Sequence, residues 1–207
     1  TNEGIWYLGA GPLKVHQKIT LVTSATTGHQ DTYLIEYKVG NNDSVSHTVG
    51  VRVMLDTKIG DNDNAPFQVP GTGSISNETE WAGASVPPYF FVFDDLYNPT
   101  VTCQGTLLGG QVATPPDRFQ VAYWSNIYGT EFDYTVNPGA TIYDTAYAPY
   151  WVDRVIPPGT SVTFGTYYGL GSVAVNTTPP LATALTAPAT LDCLLGRAPF
   201  QGKNPVD

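Results

Sequence analysis

Apolar and polar side chains alternate with a period of two along much of this chain, the spacing that puts every second residue on one face of an extended strand. The pattern is clearest over residues 32–39, where Tyr33, Ile35, Tyr37 and Val39 share one face and Leu34, Glu36 and Lys38 the other. Residues 48–55 repeat it with Val49, Val51, Val53 and Leu55. Between the two runs, Gly40-Asn41-Asn42-Asp43-Ser44 is a turn by composition, because Gly, Asn and Asp tolerate positive φ or hydrogen-bond their own backbone. The runs are therefore predicted to pair as a hairpin, with a weaker strand over 18–25 before them.

From residue 56 to 84 the alternation dissolves into loop signals, among them Asp61-Asn62-Asp63-Asn64-Ala65-Pro66 and Val69-Pro70-Gly71-Thr72-Gly73. A loop of that length inside a compact domain has a function or hides a short strand. Strand signals return over 89–93, 100–108, 119–124, 131–136, 147–152 and 161–168, separated by turns such as Asn137-Pro138-Gly139 and Pro157-Pro158-Gly159. No segment of helical length shows a period of 3.6 residues, so at most a turn or two of helix is expected. The prediction is an all-β protein, a large antiparallel β-sandwich of immunoglobulin-like or larger supersandwich-like form. Its core is expected over residues 14–176 within a domain of 1–176. Residues 177–207 open on Thr177-Thr178-Pro179-Pro180 and are rich in Ala, Thr, Pro and Leu. They are expected to form an ordered extension packed on the domain, held by a disulfide or by strand addition to a sheet edge.

Composition sharpens this picture. Aromatic residues make up 12% of the 207, and charged residues only 13%, about half the usual share of roughly 25%. Strand-forming residues are thus favoured over helix formers. The net charge is −9 with 9 Lys+Arg. Binding to nucleic acid needs clustered Lys and Arg to displace counterions from phosphates, so nucleic acid and anionic membrane surfaces are excluded as partners. An acidic surface aids solubility and attracts cations. No run of about 18 apolar residues is present, so no membrane insertion is expected. The chain opens on Thr1-Asn2-Glu3-Gly4 without a signal sequence, as expected of a processed or excised segment.

The two cysteines, Cys103 and Cys193, are too far apart in sequence for a compact zinc site, and the three histidines are not at ligand spacing. Scarce Lys with abundant Thr, Ser and Asn suggests an extracellular or cell-surface location, where a Cys103–Cys193 disulfide is expected. The sharpest local group is Asp56, Asp61, Asn62, Asp63 and Asn64, with Asp94 and Asp95 following a later apolar strand. Calcium takes six to eight oxygens from such carboxylates, amides and carbonyls, so these residues are the candidate ligands of a Ca²⁺ ion, weighed against an ordinary solvated Asx turn. The run Asp61-Asn62-Asp63-Asn64-Ala65-Pro66 resembles the calcium linker of cadherins, although Gly60 stands where that pattern has Asp. An exposed aromatic platform suits sugar rings, and Trp124, Tyr128, Tyr150 and Trp151 are the candidate glycan residues, weighed against core packing. Paired acids for glycoside hydrolysis could come from Glu78, Glu80, Asp94, Asp95, Glu131 and Asp133, but sequence supplies no distance between them. No nucleophile elbow or phosphate-binding glycine loop occurs.

Several stretches are similar to a β-sandwich module found in large secreted or surface proteins of bacteria and archaea that carry conserved repeat domains. The carriers are Glu36-Tyr37-Lys38-Val39-Gly40-Asn41-Asn42-Asp43, Val49-Gly50-Val51-Arg52-Val53-Met54-Leu55-Asp56-Thr57, the run from Gly60-Asp61-Asn62-Asp63 to Pro66-Phe67, and Tyr168-Gly169-Leu170-Gly171. The resemblance implies a building block of a multidomain exported protein and carries no catalytic residue. The expected function is a non-catalytic structural or interaction module whose partners are other modules of the same polypeptide, a surface protein or a glycan. The alternatives are a carbohydrate-binding module and an accessory domain of a polysaccharide-active enzyme.

Overall fold

The computed structural model describes residues 1–8, 11–110 and 115–170, all of them within one compact unit, Thr1–Thr177. The strands run β1 (Asn2–Leu8), β2 (Leu13–Thr23), β3 (Gln30–Asn41), β4 (His47–Arg52), β5 (Leu55–Asp56), β6 (Phe67–Val69), β7 (Gly73–Ile75), β8 (Thr79–Ala82), β9 (Tyr89–Phe93), β10 (Thr102–Thr106), β11 (Arg118–Tyr123), β12 (Thr145–Ile156) and β13 (Ser161–Gly169). A single α-helical turn, α1 (Trp124–Tyr128), follows β11. The larger sheet has eight strands in the order β1-β2-β3-β13-β10-β9-β6-β7; the smaller has five, β4-β12-β11-β8 with β5 beside β12. The protein is an all-β sandwich of two antiparallel sheets. Its strand number exceeds the seven to nine of an immunoglobulin domain.

The alternation of β3 holds at Ile35 and Val39, which are buried, whereas Tyr33, predicted on the same face, is 49% exposed and Leu34, predicted on the other, is buried. β3 pairs with β13 so that Val39 faces Val162, Tyr37 faces Phe164 and Ile35 faces Thr166. Val39 and Phe164 then pack against Val53, Trp151 and Ile156 of the smaller sheet and its approach. A second cluster lies between the sheets, where Phe67, Phe90, Val92 and Cys103 meet Trp81, Phe119, Val121 and Tyr147.

The predicted hairpin does not form. β3 and β4 lie in different sheets, β3 between β2 and β13 and β4 beside β12. The chain crosses between them at Asn41, whose side-chain amide is buried and donates to the carbonyls of Val45 (2.7 Å) and Ile156 (2.8 Å). Val49, Val51, Val53 and Leu55 still face the core, because alternation sets which face is apolar and not which strand pairs with it. The 56–84 stretch holds three short strands, β6 to β8. β6 supplies the buried Phe67 and Val69, and β8 the buried Trp81.

No strand forms over 131–136. This segment lies instead on the outer face of the smaller sheet, where Phe132, Tyr134, Trp124 and Ile127 pack on Ala122, Ala146, Ala148 and Tyr150. Its carbonyls are satisfied by side chains rather than by a ladder: Arg52 donates to Phe132 (3.1 Å) and Ile127 (3.0 Å), and Gln120 donates to Tyr134 (2.8 Å). The small side chains of Ala146 and Ala148 let the cover approach closely. β12 is consequently covered on both faces, and every residue from Thr145 to Trp151 is buried. The extension 177–207 and Cys193 lie outside the described residues; Cys103 is buried beside the Tyr168 hydroxyl, and burial pushes its thiol pKa up.

Candidate functional site

The predicted acidic ligands fall on one rim of the sandwich, but their arrangement differs from expectation. Gly60, at φ +61°, turns the chain between Ile59 and Asn62, which exchange two backbone hydrogen bonds of 3.1 Å. That left-handed conformation favours Gly, which accounts for Gly60 at the position where the cadherin pattern has Asp. Asn62 then accepts from the Asn64 backbone N–H (2.9 Å) and donates to the Asp94 carbonyl (2.7 Å), tying the two loops together.

Asp94 lines one hollow with Asp61 and Asn62, but its carboxylate and that of Asp95 are engaged by their own loop. The Asp94 carboxylate accepts from the Thr100 hydroxyl and from the backbone of Thr100 (3.0 Å), Val101 (3.0 Å) and Asp95 (2.9 Å). Hydrogen bonding, led by the Thr100 hydroxyl, holds its pKa down to about 2. Asp95 accepts from the backbone of Tyr97 (2.7 Å) and Asn98 (2.8 Å). Both acids close their own loop with these hydrogen bonds.

A further acid, Asp144, lies near Asp56 and Asp63, and no local run in the sequence signals it. Its pKa is raised, first by burial and then by the charges of Asp56 and Asp63. One of its carboxylate oxygens is shielded from solvent and has no hydrogen-bond partner. The neighbouring Thr145 fixes the geometry. Its carbonyl accepts from the Thr57 backbone (3.0 Å) and hydroxyl (2.6 Å), its N–H donates to the Asp63 carbonyl (3.2 Å), and its hydroxyl donates to Asn64 (3.0 Å). Lys58 offsets part of the charge at 3.4 Å from Asp63. Among the described residues no group of three or more His, Cys, Asp or Glu has the geometry of a metal centre.

A raised carboxylate pKa in the folded state means that ionisation costs stability above that pKa, and the cost vanishes below the unfolded value. Asp144→Asn is therefore expected to raise the melting temperature at pH 7 by about 2 °C, with the gain gone at pH 3. Millimolar Ca²⁺ added to both proteins tests for a cation at the same point. A rise in the wild type alone places a cation there, and equal melting temperatures leave an ordinary acidic rim.

Of the aromatic candidates, Tyr150 and Trp151 are core residues, each 0% exposed. The Tyr150 hydroxyl donates to Gln120 (2.8 Å) and its ring carries the Arg118 guanidinium at 4.6 Å. Trp151 packs on Phe164 at 5.5 Å. Both sit in the doubly covered strand, so neither presents a platform to a sugar. Trp124 and Tyr128 remain as an aromatic pair at 5.6 Å on one face of α1, with Tyr128 70% exposed.

Three of the acids considered for glycoside hydrolysis besides Asp94 and Asp95 are held by hydrogen bonds or ion pairs. Buried Glu78 accepts from the Tyr134 hydroxyl (2.5 Å), the Asn137 backbone (2.8 Å), the Asn126 amide (2.9 Å) and the Tyr123 backbone (3.4 Å). Burial pushes its pKa up, but these four donors outweigh it and the net shift is downward. Glu80 is held by Gln120 (2.6 Å) and Arg118 (3.3 Å), and Asp133 by Arg118 (2.5 Å).

A second surface was missed in the sequence reading. β1 is the edge of the larger sheet and pairs only with β2 among the described residues. Ile5, Trp6, Tyr7 and Leu8 are all exposed, Trp6 by 48% and Tyr7 by 62%. The apolar run Ile5-Trp6-Tyr7-Leu8 is the available signal in the sequence, and with both faces apolar it shows no alternation.

No known family model matches this chain, and no curated protein does. Among solved structures it is similar to the Slr1438 protein from Synechocystis sp. PCC 6803, with a TM-score of 0.43 and 10% identity. That match covers 78% of this chain and 55% of the other, so the chain spans about half the length of that protein.

Proposed function

We propose that this protein is a non-catalytic interaction module of a multidomain secreted or cell-surface protein, and that it docks a neighbouring module by accepting a strand at β1. The observation that supports this reading is that edge, which β2 alone pairs with among the described residues. Edge strands are ordinarily blunted by charge, proline, bulges or shortness, because their free N–H and C=O groups template pairing. The other edge strands follow that rule: β7 has three residues and β8 four, while β4 ends on Arg52 and pairs with β12 across a bulge. β1 has seven residues, a continuous register with β2, and no charge, proline or bulge from Gly4 to Leu8. Strand addition supplies main-chain hydrogen bonds for affinity and alternate side chains for specificity. Glu78, Glu80, Asp94, Asp95 and Asp133 are each engaged by neighbouring donors, which favours the non-catalytic reading.

The simplest incoming strand is β1 of a second copy, so the reading is tested by self-association. Reversible dimerisation is expected at high protein concentration by light scattering, together with slowed amide exchange in β1. The double variant Trp6→Lys/Leu8→Lys should remain monomeric with an unchanged melting temperature. A wild-type protein that stays monomeric at millimolar concentration, with β1 amides exchanging freely, would overturn the proposal.

A further inference from the structure

The positive charges of this acidic protein are unevenly distributed. Among the described residues, Lys58, Arg118 and Arg154 are ion-paired, and Arg52 donates to two carbonyls. Lys14, Lys18 and Lys38 form no such pair, and all three lie on the outer face of β2 and β3. The register puts them there: Val15 and Val39 face the core, so the alternate residues Lys14, His16, Lys18, Lys38 and Gly40 face out. Lys18 stands directly opposite both Glu3 and Glu36. His16 bonds Glu3 at 3.1 Å. Lys14 and Lys38 are left as the uncompensated cations of this face.

They share a hollow of about 280 Å³ with His16, Asn42, Thr160 and Ser161, floored by Gly40 and Gly159. The hollow exists because Gly40, opposite both Lys14 and Ser161, puts no side chain there. No carboxylate lines it. Lys14, Lys38, Asn42 and Ser161 line it, a set of side chains rich in donors, the chemistry that recognises an oxyanion. Tyr7 adds an apolar element. It lies directly opposite Lys14 on the same face and is 62% exposed.

We infer that this hollow binds an acidic sugar residue, with Lys14 and Lys38 taking its carboxylate or sulfate and the Tyr7 ring taking its apolar face. Two features select a single anionic sugar over an extended polyanion. The net charge of −9 repels a dense run of charge. Glu3 and Glu36 also flank this face on either side of Lys18, leaving room for one anionic group. This site is independent of strand addition at β1, because Trp6 and Leu8 project from the opposite face to Tyr7.

The test is calorimetric titration of the whole chain with trigalacturonic acid, its methyl ester, and inorganic sulfate. Trigalacturonic acid is expected to bind at least tenfold more tightly than the ester and to weaken as salt rises. Lys14→Gln/Lys38→Gln should weaken it by at least tenfold. Tyr7→Ser should weaken the sugar acid severalfold while leaving sulfate unaffected, and Trp6→Lys/Leu8→Lys should leave both unchanged. Equal binding of acid and ester, or no binding of the acid at millimolar concentration, would overturn the inference. Sulfate binding as tight as the sugar acid, insensitive to Tyr7→Ser, would overturn the assignment to a sugar.

Discussion

Gly105→Ala is expected to lower stability by about 3 kcal/mol, at the upper end of the cost of overpacking a well-packed core. A drop of roughly 10 °C in melting temperature follows for a domain of this size. Gly105 lies in β10 directly opposite Phe90 in β9, and the Phe90 ring lies flat over the glycine. A Cβ at Gly105 would stand inside the van der Waals radius of that ring. The ring has nowhere to go. It is stacked on Phe119 at 4.8 Å and on Phe67 at 5.4 Å, with Tyr147 edge-on at 4.7 Å. All four aromatic side chains are essentially fully buried. Thermal unfolding followed by circular dichroism measures the effect. The double variant Gly105→Ala/Phe90→Leu provides the internal check, because a smaller side chain at 90 makes room for the new methyl. Its loss should be clearly less than the sum of the two single losses. Strict additivity would show that the steric account is wrong.

Glu78→Ala should cost about 3–4 kcal/mol at neutral pH, since it leaves several buried donors without their charged acceptor. The donors come from Tyr123, Asn126, Tyr134 and Asn137, so this one carboxylate pins both ends of the segment that covers the smaller sheet. Glu78→Gln keeps the shape but replaces one acceptor by a donor, and a smaller loss of about 1–2 kcal/mol is expected. The pH dependence follows from the lowered pKa of Glu78. A carboxylate whose folded pKa lies below its unfolded value contributes fully above the unfolded value, 4.5 for Glu, and the contribution fades as pH falls through the folded pKa. Urea denaturation should therefore show a large gap between wild type and Glu78→Gln at pH 7 and a narrower one at pH 3. The same carboxylate, after burial, pushes the Tyr134 hydroxyl up to about 12, so Tyr134 stays a donor across that range. Faster proteolysis between residues 124 and 144 in Glu78→Ala would localise the damage. An undiminished gap at pH 3 would contradict the ionised state assigned to Glu78.

The acidic rim shows where sequence reasoning about sites stops. The cluster Asp56, Asp61, Asn62 and Asp63 was visible as a local run, and its loop does touch the loop of Asp94 through Asn62. Asp94 and Asp95 were the expected second segment, and sequence alone did not show that local donors take up their oxygens: the backbone of Asp95, Thr100 and Val101, one, six and seven residues downstream, for Asp94, and that of Tyr97 and Asn98, two and three residues downstream, for Asp95. Asp144 was invisible because nothing about Tyr143-Asp144-Thr145 in sequence says that Thr145 will be clamped to Thr57 and Asn64. Tyr150 and Trp151 were misjudged for a related reason. An aromatic side chain suits a core and a binding surface equally well, and only the cover on the second face of β12 decides between them.

By itself the sequence determined the class of this protein and the inward faces of its strongest strands. Period-two alternation specifies an apolar face without any knowledge of the partner strand, so Ile35 and Val39 of β3 were legible as core residues, while β9, β11 and β13 were legible as strands. What only the tertiary structure decided is which strands pair, which faces are covered twice and which edge stays open. β3 and β4 could satisfy their patterns as a hairpin or across two sheets, and the buried amide of Asn41 marks the crossing that was chosen. Residues 131–136 alternate like a strand because extended chain lying on an apolar surface has the same period, while Arg52 and Gln120 take the carbonyls that a neighbouring strand would otherwise claim. β1 shows apolar residues on both faces, a pattern that local sequence cannot separate from a buried strand, and its exposure follows from its place at the end of the larger sheet with β2 as its only neighbour among the described residues.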